Sequence, residues 1–162
     1  MTTKIDIEPQ SDRELVLARI IDAPREKVFR AWTDPELLKQ WFCPAPWKVT
    51  QAEIDVRPGG SSFIVMQGPE GEEMPLPGQY LEVIPNEKLV FTDAFTGGWE
   101  PSEKLFMTAV ITFEDEGGKT RYVARARHWS VGDLKTHEEM GFHEGWSIVA
   151  DQLEAVAAAL PD

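Results

Sequence analysis

The stretch THEEMGFHEGWSIVADQLEAVAAAL, residues 136–160, decides the fold. At a helical pitch, Phe142, Trp146, Val149, Leu153, Val156 and Leu160 fall within about 40° of one line. They form a continuous apolar stripe, and AVAAAL closes it with strong helix formers. Thr136 and Glu139 have capping-box spacing, which predicts a helix from about 137 to 160. Glu138 and Glu139 would then sit at the positive end of the helix dipole. Met140 breaks the pattern: it lies about 160° from the stripe, so it packs elsewhere or the first turn is irregular.

The same stretch raises a metal question. On one helix, His137 and His143 stand about 120° apart, and zinc-protease spacing needs the second histidine four positions after the first. Glu139 and His143 are four apart and read as an exposed pair of small energetic value. His128 is distant in sequence and receives no partner. No metal is expected.

Upstream, ELVLARII (14–21) reads as a first strand after a polar lead-in over residues 1–13. DAPREKVFRAW opens a helix at Pro24, with Asp22 or Ala23 as its cap and Val28, Phe29 and Trp32 on one face. TDPELLKQWF repeats the device, with Asp34 capping, Pro35 opening, and Leu37, Leu38 and Trp41 buried. From Trp47 to Trp129 six β-rich segments alternate with turn signals such as RPGG, PNE and EGGK. Short connections between consecutive strands predict an antiparallel meander, whose apolar face only the C-terminal helix is long enough to cover. The fold class is α+β: a curved antiparallel sheet of six to seven strands around a long C-terminal helix. Residues 14–160 are expected to form one domain.

Composition narrows the partners. Acids outnumber bases 28 to 16, for a formal net charge of -12, which excludes phosphate-rich nucleic acid and anionic membrane as natural partners. Cys43 is the single cysteine, so no internal disulfide framework exists. The N-terminus carries no apolar run, and a cytoplasmic location is expected. RPGG and TGG are turn glycines without phosphate-loop spacing, and no cofactor is expected. Six Trp and eight Phe either build an aromatic core or line an apolar pocket.

IDAPREKVFRAWTDPELLKQWF, EIDVRPGG, VMQGPEGEE, GQYLEVIPNEKLVFT and EMGFHEGW followed by QLE together resemble the activator of heat-shock-protein ATPase homologue family, within the START-related, birch-pollen-allergen-like (SRPBCC) superfamily. The resemblance runs from about residue 13 to 159 and implies a helix-grip fold with an apolar cavity between sheet and helix. It implies binding of a small apolar or aromatic molecule as the leading function. A chaperone-interaction module using the acidic surface is the alternative, and a cavity cyclase or isomerase ranks third. A monomer or a homodimer fits either binding role. Asp93 departs from relatives, which often carry an aromatic there.

The residues expected to border the cavity are Trp41, Trp47, Phe63, Tyr80, Phe91, Trp99, Phe142, Trp146 and Val149. Trp99, on a glycine-containing loop, reads equally as a lid or as a core residue, and so does Trp146 on the helix stripe. Asp93 either faces solvent or enters the cavity, where burial would raise its pKa and equip it for proton transfer. His128 alternates with Arg127 and shares its side with Tyr122, Ala124 and Ala126, which turns it inward. Asp93 and His128 are the only acid–base candidates. Cys43 has no base beside it in sequence.

Overall fold

The computed structural model describes residues 1–162. Strand β1 spans Thr3–Lys4 and β2 Glu14–Ile21; helices α1 (Arg25–Thr33) and α2 (Pro35–Leu38) follow. The meander comprises β3 (Lys48–Ile54), β4 (Ser61–Gln67), β5 (Glu73–Ile84), β6 (Lys88–Thr92), β7 (Met107–Glu116) and β8 (Lys119–His128). Helices α3 (Val131–Glu139) and α4 (Phe142–Ala158) end the chain. One antiparallel sheet of eight strands, in the order β1-β2-β8-β7-β6-β5-β4-β3, carries the long helix on its inner face. This is the helix-grip architecture.

Two strands more than the meander complete the sheet. β2 pairs along its whole length with β8, from Glu14 opposite Arg127 to Ile21 opposite Thr120. The polar lead-in is tied to the fold: Thr3 and Lys4 add an edge strand on β2, and Thr2 donates through its backbone N–H and its hydroxyl to Asp151 of α4. β5 is longer than turn chemistry implied, running through Pro75 and Pro77. Residues 73–78 pair with β4 alone, since β6 begins to pair only at Gln79, so both prolines lie on a free edge that needs no N–H donor.

Alternation sorts the side chains. Leu15, Leu17 and Ile21 of β2, Tyr122, Ala124 and Ala126 of β8, Ala109, Ile111 and Phe113 of β7, and Leu89 of β6 are buried on the inner face. From the helical layer, Val28, Ala31 and Trp32 of α1 and Phe142, Ala150, Leu153 and Ala157 of α4 complete the same core. α1 starts behind Pro24 without a side-chain cap, whereas the Asp34 carboxylate accepts from the N–H groups of Glu36 and Leu37 to start α2.

The C-terminal helix departs from its sequence pattern. Instead of one helix from 137, two form, and the first starts at Ser130, whose hydroxyl accepts from the Asp133 N–H. Thr136 is not a cap; its hydroxyl donates to the Gly132 carbonyl inside α3. The break comes at Met140 and Gly141, where Gly141 has φ 93 and caps α4. Glycine alone enters that region without steric cost, so the chain can turn between helices here. Met140 is therefore exposed at the corner.

Glu14 is the buried charge of the sheet, 2% exposed, on the outer face. It accepts from Arg125 and from Arg127 Nε at 2.9 Å, and from the Gln10 N–H at 3.0 Å. Burial alone would raise its carboxyl, but Arg127, the Gln10 N–H and Arg125 together hold it below the ordinary glutamate value. A depressed carboxyl stabilises the fold above that ordinary value, and the contribution disappears as pH falls through the lowered one. Glu14→Gln should thus cost about 2–4 kcal/mol at neutral pH, and chemical denaturation from pH 7 downward should show a shallower acid decline in the variant. A second pair of variants tests the helix break. Gly141→Ala should lose about 1–2 kcal/mol because alanine must take a positive φ. Gly145→Ala, in the interior of α4 with open space around it, should gain about 0.5–1 kcal/mol.

Candidate functional site

α4 packs on β2 and α1, at one side of the sheet. The inner faces of the remaining strands are covered by large side chains from α1, from the segment after α2, and from α4 itself. Trp41 is fully buried, and its indole N–H donates to the Ala31 carbonyl at 3.0 Å. Trp32 meets Trp41, Phe42 and Phe91 at ring separations of 4.8, 5.9 and 5.6 Å. Gln152 of α4 ties this aromatic segment to the helix: its amide donates to the Trp41 and Cys43 carbonyls at 2.9 Å and accepts from the Ala45 N–H. No local sequence pattern marks Gln152, because its partners lie about a hundred positions away.

The covering is incomplete. Leu89, Ala109 and Ile111 are sealed on the inner face, at 0% exposure. Phe91 and Met107, on the same face of the same central strands, remain partly exposed, as do Met66 and Phe42. On α4, Trp146, Val149 and Val156 are also only partly buried against the same core. These half-buried apolar side chains of the sheet and of α4 together edge a seam of the core. Two recesses open to solvent: one, of about 470 Å³, is lined by Asp55, Arg57, Ser61, Thr96 and Trp99 among others, and the second, of about 220 Å³, by Arg13, Thr108, Arg127, His128 and Trp129.

The nine expected cavity residues therefore divide. Trp41, Tyr80 and Phe142 form buried walls of the inner face, and burial pushes the Tyr80 hydroxyl up to about 12. Trp47, Phe91, Trp146 and Val149 present partly accessible surface along the seam. Phe63 and Trp99 do not belong to it. Phe63 alternates with the inward Ile64 and so faces outward. Trp99 is 55% exposed and lies over the outer face, where its backbone N–H donates to the side-chain oxygen of fully buried Gln79, the neighbour of inward-facing Tyr80. Its φ of 65 and its indole against Gly59 hold it there. It is no lid over the seam.

At one end of the seam the structure assembles a cluster that the helix angles had hidden. Because α3 is separate from α4, His137 turns inward while His143 turns out to Glu138 at 3.2 Å, not to Glu139. His128 and His137 are both buried, with His128 Nε2 2.9 Å from His137 Nδ1. His128 Nδ1 lies 2.9 Å from the Arg13 carbonyl oxygen. Phe106, Phe142 and Trp146 surround His137 at ring separations of 5.0, 5.1 and 5.9 Å. Burial first, and the neighbouring His128 second, push His137 down to about 4, so it is neutral at pH 7. The sequence did carry signals for this arrangement: Ser130 and Asp133 at cap spacing, and Gly141.

The acid–base candidates take structural places. His128 faces inward as strand parity implies, but its ring is committed to Arg13 and His137. Asp93 is partly buried, and burial raises its carboxyl against the opposing pull of two N–H donors. Those donors are Phe106 at 2.8 Å and Met107 at 3.3 Å, so Asp93 anchors the chain where it enters β7 and fixes Phe106 against the histidine pair. Cys43 is buried and pushed up to about 11, which leaves it a protonated, unreactive thiol at neutral pH.

Known proteins place this architecture. A sequence profile described as activator of Hsp90 ATPase homolog 1-like protein matches residues 22–158. No curated protein matches the chain. A Nitrosomonas europaea protein solved by crystallography is 42% identical, with a TM-score of 0.90 over 93% of this chain and 97% of that one. A Mycobacterium smegmatis crystal structure is 25% identical, with a TM-score of 0.78 over 98% and 99%. An Aeromonas hydrophila protein described as AHSA1-like, at 18% identity and a TM-score of 0.70 over 90% and 92%, shares the fold. With most of its length matched by the family profile, the chain belongs to the activator of Hsp90 ATPase homolog 1-like family.

Proposed function

We propose that the protein binds a small apolar or aromatic molecule in the seam between α4 and the inner face of the sheet. One observation carries this reading: Phe91 and Met107 sit on interior strands, on the face that holds the core, and still keep accessible apolar surface. A sheet covered for stability alone would seal that surface, as it seals Leu89 and Ile111, since each exposed apolar Å² forfeits about 25 cal/mol. Trp146 and Val149 face the same seam from α4, so a flat apolar molecule would be held between helix and sheet. Entry requires the half-buried rings to part. No nucleophile–base pair accompanies the seam, so sequestration or transport fits it better than turnover.

Titration with flat aromatic compounds should quench tryptophan fluorescence and raise the melting temperature together. Binding to the native state alone stabilises by about 2.7 kcal/mol at a hundredfold excess over Kd. Trp146→Ala should weaken both effects and cost the free protein less than about 3 kcal/mol, because the ring is only partly buried. Trp99→Ala, on the outer face, should leave binding unchanged. If a broad apolar library gives neither quenching nor a melting shift, the reading fails and a protein partner for the acidic surface replaces it.

A further inference from the structure

The histidine pair dictates its own protonation. The Arg13 carbonyl can only accept, so His128 must carry its proton on Nδ1. The 2.9 Å contact between His128 Nε2 and His137 Nδ1 holds one proton between the two rings, and with that proton on His137 Nδ1 the lone pair of His137 falls on Nε2. One nitrogen is left. His137 Nε2 carries a lone pair, makes no hydrogen bond within the protein, and is not among the side-chain atoms sealed from solvent without a partner. Its ring stands among Phe106, Phe142 and Trp146, at the end of the seam.

We propose that His137 is the polar anchor of the seam and that its Nε2 accepts a hydrogen bond from a hydroxyl on the bound aromatic molecule, so the preferred ligands are phenols. This rests on the seam being the ligand site. An apolar molecule laid over Nε2 would strip the lone pair of water and leave it unpaired, whereas a phenol restores the bond in an environment that excludes competing solvent. The geometry also supplies pre-organisation. The Arg13 carbonyl fixes the tautomer of His128, His128 fixes that of His137, and Asp93 holds the Phe106 wall. The break at Gly141 is what lets α3 aim the ring inward. Burial and His128 keep His137 neutral, hence an acceptor, at the pH of binding.

Matched probes test the assignment: 2-naphthol, which donates, and 2-methoxynaphthalene, which has the same ring system and no donor. The wild-type protein should bind 2-naphthol about tenfold more tightly or better. In His137→Phe the preference should vanish while the ether still binds. Nitrogen-15 NMR of the unsubstituted protein gives a readout independent of that variant's folding. His137 Nε2 should resonate as an unprotonated imidazole nitrogen at neutral pH and shift toward the hydrogen-bonded range with 2-naphthol but not with the ether. Equal binding of both probes by the wild type, or a protonated Nε2 in the free protein, overturns the assignment of His137 and leaves the seam reading standing. Binding of neither probe, with the unprotonated Nε2 seen by NMR, overturns the seam reading itself and the phenol proposal with it.

Discussion

A mismatch of widths governs this molecule. Eight hydrogen-bonded strands at about 4.8 Å spacing make a sheet roughly 34 Å across, while one helix covers only about 10 Å. α4 cannot shield the inner face alone, and it settles against β2 and α1. The remainder must be covered by side chains large enough to span from thin elements to the sheet, which accounts for the concentration of Trp and Phe in α1 and in the segment after α2. Trp32, Trp41 and Phe42 meet edge to face, the arrangement their quadrupoles favour, and Phe91 packs on Trp32 at a tilt. Gln152 then fastens that aromatic segment to α4 through two backbone carbonyls.

The same mismatch makes a site. Aromatic side chains cover area efficiently but tile it imperfectly, so the cover leaves a seam where Phe91, Met107, Trp146 and Val149 remain partly accessible. Site and core are thus two parts of one apolar surface, separated by how completely α4 and the aromatic segment meet. Substituting a sealed residue such as Trp41 should therefore damage stability first, while substituting Trp146 acts mainly on the seam.

The end of the seam is shaped by one glycine. A single helix over residues 137–160 would place His137 outside the apolar stripe and give the seam a wholly apolar end. Gly141, in a conformation that other residues enter at a cost, divides the helix, and α3 swings His137 to within 2.9 Å of His128. A backbone conformation thereby decides which polar atom the seam contains. Asp93, which resembled a catalytic acid by its place in an apolar strand, serves the same end by fixing the Phe106 backbone.

Much of this fold was legible in the chain because its determinants are local. Strand alternation, the Asp34–Pro35 helix start and the 3.6-residue stripe of Phe142, Trp146, Val149 and Leu153 each depend on neighbours within one or two turns. Strand parity alone also turned His128 inward. The helix start is misplaced in the sequence reading, which takes Thr136 with Glu139 as the cap, whereas Ser130 with Asp133 has equal spacing and is the cap that forms. Parity could not resolve Phe63 either, since Ile64 and Val65 beside it are both apolar and both faces of β4 are covered. Trp99 was undetermined because its place depends on Gln79, twenty positions away. By itself the sequence determined the fold class and most of its elements, but not the edge strand β1, the full length of β5 or the break between α3 and α4. Tertiary structure alone decided which side chains are sealed, which line the seam and which histidines meet, because those outcomes depend on contacts between residues far apart in the chain, which no local pattern encodes.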